Sequence, residues 1–156
     1  MSSRSRSARD RLSEPVGGPK AVAVAVCFRR RDRQLQFRLV RTSDGERWTF
    51  PGGSLRLAEV PTQAAAREAS EKAGVTGVIV EQPLTEFRYA RRTDDVATAF
   101  LLAVQSTAPF GGEGRNPTWF DLQTSRERLA EGRKPAEAAE LQRVIDVAEE
   151  QLRERR

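Results

Sequence analysis

The stretch GGSLRLAEVPTQAAAREASEKAGV, residues 52–75, holds the side chains of this chain best suited to chemistry. On a helix, Glu68, Glu71 and Lys72 stand at i, i+3 and i+4 and share one face. Carboxylates grouped in this way bind a hard divalent cation such as Mg²⁺ through oxygen. Gly52 and Gly53 just upstream let the backbone approach a phosphate closely. A metal that bridges phosphate oxygens neutralises their charge and can activate a water. Together these features suit hydrolysis of a diphosphate linkage. The same glutamates would equally serve as a plain solvated helix face. Lys72 stands where a third carboxylate would be wanted.

The rest of the composition narrows the chemistry. The chain has 156 residues and no histidine, so His-based triads and His-ligated metal sites are excluded. Any general base is then a carboxylate, and any metal site is built from oxygen. Cys27 is the only cysteine, which rules out an internal disulfide; its apolar surroundings suit a small buried hydrophobe. Net charge is +5, and of the 27 basic residues only Lys20, Lys72 and Lys134 are lysines. Arginine pairs with phosphate in a bidentate manner, so the bias fits an anionic partner; arginine-favouring codon usage explains it as well. No apolar run reaches the roughly 20 residues of a membrane helix, and a cytoplasmic protein is expected.

Residues 1–19 are rich in Ser and Arg and end in Gly-Gly-Pro, which reads as a flexible arm. No apolar segment follows its charges as in a signal peptide, and Asp10 and Glu14 interrupt a transit-peptide pattern. A single domain is expected over 20–156. AVAVAVCFRR suits a strand packed on both faces, LQFRLVRT a second strand, and SDGE a turn. RWTFPGGSL reads as a short aromatic strand entering a Gly-rich loop. A helix is expected over 60–73, with Pro61 in its first turn and Gly74 as its stop. GVIVEQPLTEFRYA and VATAFLLAVQS read as paired strands joined by the turn RRTDD, and PTWFDLQ as a short strand. LQTSRERLAEG and the last 22 residues read as helices; Leu141, Val144, Ile145, Ala148 and Leu152 would dock the final one on the sheet. This order indicates a mixed α/β domain.

The motif is similar to the signature of the Nudix hydrolases. Gly53, Glu59, Arg67, Glu68, Ala69, Glu71, Gly74 and Val75 fill that pattern in register, and Lys72 is the one departure. The resemblance implies a Nudix-type α/β/α sandwich: a mixed sheet with the Nudix helix on one face and a C-terminal helix on the other. It also implies roles. Glu68 and Glu71 would be metal ligands, with Glu68 placed to influence the attacking water. Arg67 would hold the carboxylates, Glu59 would brace the loop, and a carbonyl of Gly52 or Gly53 would complete a Mg²⁺ or Mn²⁺ site. Asp94, Asp95 and Glu86 are candidates for a further acid, with an ordinary hairpin turn the plainer reading of the aspartates. Within the family the chain resembles the diphosphoinositol polyphosphate and dinucleoside polyphosphate hydrolases, through RWTFPGG, EKAGVTG and residues 119–141.

At the position of Lys72 the family normally carries a coordinating glutamate. Three outcomes stand open: Lys72 turns to solvent beside a weaker metal site, pairs with Glu68 or Glu71 in place of a cation, or marks a site that has lost its chemistry. Arg38, Arg41, Arg47 and Arg91, with Arg88, Arg92, Arg115 and Arg133, are candidate phosphate contacts, each also readable as a surface charge. Trp48 and Phe50 read as core in preference to base-stacking residues. The leading expectation is a phosphohydrolase acting on a nucleoside-diphosphate derivative, a dinucleoside polyphosphate or an inositol pyrophosphate. The rival is a non-catalytic protein of the same fold that binds a nucleotide, a phosphorylated ligand or RNA. Homodimers occur in this fold, although no interface is legible here.

Overall fold

A computed structural model of the protein describes residues 21–88, 96–109 and 114–154. The arm expected over 1–19 lies outside these residues. Among the described residues eight strands and three helices follow in chain order: β1 (Ala21–Arg31), β2 (Gln34–Arg41), β3 (Trp48–Thr49), β4 (Gly52–Ser54), α1 (Pro61–Glu68), β5 (Val75–Ile79), β6 (Thr85–Arg88), β7 (Val96–Thr107), β8 (Thr118–Asp121), α2 (Leu122–Ala130) and α3 (Pro135–Glu154). A π-helical turn, Ala69–Ala73, continues α1 without a break.

β1 organises the sheet. It runs parallel to β7 on one side and pairs antiparallel with β2 and β4. β5 and β6 both pair antiparallel with β7, while β3 and β8 pair with β2. The sheet is therefore mixed, as expected.

The alternation in AVAVAVCF sorts side chains by size onto two faces. Val22, Val24, Val26 and Phe28 join Phe37, Leu39, Trp48, Phe50 and Phe87 under α2 and α3. There the predicted stripe Leu141, Val144, Ile145, Ala148 and Leu152 is buried. Ala23, Ala25 and Cys27 form the other face, against Ala64, Ala65, Ala69 and Ala73 of the α1 segment. Small residues on both partners let that helix lie close to the strands. The result is a sheet between α1 on one face and α2 with α3 on the other. Trp48 and Phe50 are core residues, as read from the sequence. Cys27 is buried, and burial pushes its thiol up to about 12.

Three elements differ from the sequence reading. The segment RWTFPGGSL is not a strand followed by a loop: Gly52–Ser54 is extended and pairs with Val22–Val24 of β1. A side chain at Gly52 would put its Cβ 2.3 Å from Val24 Cγ1, so only glycine permits this approach. The run from Val75 to Arg88 splits into β5 and β6, both laid along β7, because residues 80–84 leave the strand path. The expected 60–73 helix starts at Pro61 and changes to π-type hydrogen bonding after Glu68. Its start is supported by the Gln63 side chain, which accepts from the Val60 N–H at 3.0 Å. Gly74 ends it in the left-handed conformation, φ 67°.

Candidate functional site

β4 and the α1 segment bring the motif together at the small-residue face of the sheet. Arg67 is its hub. Its Nε donates to Glu59 Oε2 at 2.7 Å, and Nη2 donates to Glu59 Oε1 at 2.9 Å, a bidentate pair. Nη1 reaches Glu68 Oε2 at 3.0 Å and Glu71 Oε1 at 3.4 Å, while Nη2 also donates to the Ser54 carbonyl at 3.2 Å. Glu59 Oε1 in addition accepts from the Arg56 N–H at 2.8 Å, which closes the loop before α1. These bonds, those from Arg67 foremost, hold the Glu59 carboxyl down at about 2. The Arg67 guanidinium is pushed above its ordinary value, chiefly by Glu59.

Glu68 is the buried acid of the group, 6% exposed. It lies against Gly53: a Cβ there would stand 2.5 Å from Glu68 Oε2. Glu71 is more open and pairs with Arg56 at 3.3 Å. Arg56 was not singled out in the sequence, and only its place between Gly53 and Glu59 could have pointed to it.

Lys72 takes the second of the three outcomes left open above. Its Nζ donates to the Gly52 carbonyl oxygen at 2.6 Å and lies 3.0 Å from Glu68 Oε1. The contact with Oε1 is ionic, and among the described residues Oε1 is buried without a hydrogen-bond partner. The ammonium thus holds two of the oxygens that the resemblance assigns to a metal. Three carboxylates (Glu59, Glu68, Glu71) face three cations (Arg56, Arg67, Lys72), leaving no surplus negative charge. At ~4 Å and an effective dielectric of ~20, two unit charges interact by about 4 kcal/mol, so a divalent ion beside this ammonium would be repelled severely. Among the described residues no three His, Cys, Asp or Glu side chains converge as a metal site. With Lys72 in this position, the residues present do not fit a divalent cation.

The other candidates divide. Glu86 is exposed on β6, and strand register places it in one row with Thr98, Ala23 and Gly53 across the sheet. Three strand spacings separate it from Gly53, about 14 Å. Asp94, Asp95, Arg91 and Arg92 lie outside the described residues. Arg38 is not gathered to the carboxylates; its Nε donates to the Ala73 carbonyl at 3.1 Å, and its guanidinium stands 5.3 Å from the Trp119 ring centre. Arg41 stacks on Trp48 at 4.4 Å, and Arg115 donates to the Arg41 carbonyl. Arg47 is 3.9 Å from Asp44, and its buried Nε has no hydrogen-bond partner among the described residues. Arg133 is held below its ordinary value by burial and by Arg47, while it donates to the Leu129 carbonyl. The Arg88 N–H is bonded to Glu140. Arg41, Arg47, Arg115 and Arg133 therefore cluster around the β2–β3 corner rather than at the Glu68 carboxylate.

Comparison with known proteins agrees with the fold and the motif. The family model of the NUDIX domain matches residues 19–150. The chain is 30% identical over 139 residues to diphosphoinositol polyphosphate phosphohydrolase 3-alpha of Mus musculus, covering 86% of this chain and 82% of the relative. Among solved structures, a C. elegans Ap4A hydrolase is similar at TM-score 0.64 and 21% identity, with 86% of this chain and 99% of that one covered. The NUDIX domain of Shewanella oneidensis NrtR, complexed with ADP ribose, is similar at TM-score 0.67 and 22% identity, covering 94% and 99%. The register of the Arg67 motif, the mixed sheet between helices and the match over most of the chain lead to one conclusion: this protein belongs to the Nudix hydrolase family.

Proposed function

We propose that the protein is a phosphohydrolase that cleaves a diphosphate linkage in a phosphorylated small molecule, with slow turnover. The observation that carries this reading is the Arg67 hub, which fixes Glu59 and Glu68 beside the Gly52–Gly53 strand. Preorganised charge of this kind costs no rearrangement when a substrate enters. Candidate substrates are an inositol pyrophosphate, as the name of the Mus musculus relative suggests, a dinucleoside polyphosphate or a nucleoside-diphosphate derivative. The strand at Gly52–Gly53 offers backbone close to the ligand, Arg56 and Lys72 offer positive charge to its phosphate oxygens, and Glu71 is the solvent-facing carboxylate for a proton lost by water.

The family's divalent metal supplies Lewis-acid charge when it is bound, but in this chain Lys72 takes the oxygens that would hold it. That observation favours a second reading, a Nudix-fold protein that binds a phosphorylated ligand without cleaving it. Phosphate release from a panel of the three substrate classes separates the two, with wild type beside Lys72→Glu. Turnover by wild type supports the enzyme. Turnover by Lys72→Glu alone supports the binding protein. An RNA ligand would show itself as affinity that falls steeply with salt.

A further inference from the structure

We infer that Lys72 is a tethered cation standing in for the divalent metal, and that this site takes a diphosphate group without any divalent ion. The inference rests on the site proposed above but not on turnover. Three features carry it. The ammonium is bonded to the Gly52 carbonyl at 2.6 Å and contacts Glu68 Oε1 at 3.0 Å, so it bridges β4 and the helix as a bound ion would. Lys72 is fixed to Glu68 by i, i+4 spacing on the same helical segment, which places Nζ without reaching from elsewhere. Its side chain remains 24% exposed, and an ammonium carries three donors. One goes to Gly52 and one side faces Glu68, which leaves a donor for a phosphate oxygen on the exposed side.

Glu68 gains from the same arrangement. A carboxylate so buried needs compensating positive charge, and Arg67 with Lys72 supplies it from both sides. The site is charge-balanced before any ligand arrives. An incoming diphosphate therefore meets Lys72 and Arg56 without needing a metal to offset the glutamates.

The test is calorimetric and uses the full chain. Inorganic pyrophosphate is titrated in EDTA into wild type and Lys72→Met, and Mn²⁺ alone is titrated into wild type and Lys72→Glu. Wild type should bind pyrophosphate in EDTA, and Lys72→Met should bind it at least about tenfold more weakly. Wild type should show no Mn²⁺ binding, while Lys72→Glu should gain one site. Circular dichroism checks the variants; if either fails to fold, the two wild-type titrations still decide. Stoichiometric Mn²⁺ binding by wild type, or failure to bind pyrophosphate in EDTA, overturns the inference. Binding without metal but without phosphate release in the substrate panel keeps this inference and removes the hydrolase reading. Phosphate release that requires Mn²⁺ does the reverse.

Discussion

Lys72 Nζ donates to the Gly52 carbonyl oxygen across 2.6 Å, joining the Nudix helix to the strand that precedes it. A neighbouring contact of 3.0 Å ties the same ammonium to Glu68. One residue change in an otherwise complete motif thus alters the electrostatics of the whole site. The fold needs the motif's glycines and arginine for packing, whatever ion occupies the centre.

Arg67 should be the most sensitive charged residue for stability. Arg67→Ala would leave Glu59 without its bidentate partner and Glu68 with Lys72 alone. Removing the hub of this partly buried charge network leaves those carboxylates without their main compensating charge. A clear fall in the urea midpoint is expected. Lys at this position should rescue little, because a point charge cannot reproduce the fork that grips Glu59.

Gly53→Ala should disturb the site more than the fold. The added Cβ would stand 2.5 Å from Glu68 Oε2, so the carboxylate must move off Arg67. Pyrophosphate binding should weaken by at least about tenfold, the scale of one lost charged contact, with the melting temperature changing less than for Arg67→Ala. Equal loss of both would contradict this assignment.

The Glu59 carboxyl, held at about 2 mainly by Arg67, makes a pH prediction. A carboxyl with a depressed folded value stabilises the protein above its ordinary value and loses that contribution as pH falls toward the folded one. Wild type should therefore lose stability between about pH 4.5 and 2 by a margin that Glu59→Gln lacks. Urea midpoints of both proteins across that range provide the check.

Cys27 should be inert in the native state. It is buried and its thiol is pushed up to about 12, so little thiolate forms near neutrality. Iodoacetamide should label it only after denaturant unfolds the chain. Rapid native labelling would show that the alanine face opens.

Much of this architecture is legible in the sequence because it depends on local pattern. The two-residue alternation of β1 and the helical stripe of α3 each specify which face is buried. Gly74 is legible because few other residues accept its left-handed backbone. Other features depend on partners distant in the chain. Gly52–Gly53 reads as loop because glycine has little strand preference, yet the proximity of Val24 makes glycine the residue that pairs there. The orientation of Glu86 comes from its register with Thr98, which a lone strand does not reveal. Arg38 carries the same charge in sequence as any phosphate contact, but it caps the Ala73 carbonyl. Lys72 is conspicuous in the motif, while its destination is set by a long flexible side chain finding the Gly52 oxygen.

Anomalous diffraction from crystals of the wild-type protein grown with MnCl₂ shows whether an ammonium or a metal occupies the space between Gly52 and Glu68. Density for Lys72 Nζ between Gly52 O and Glu68, with no anomalous peak there, is the expected result. A manganese peak at that point, with Lys72 turned to solvent, would contradict it.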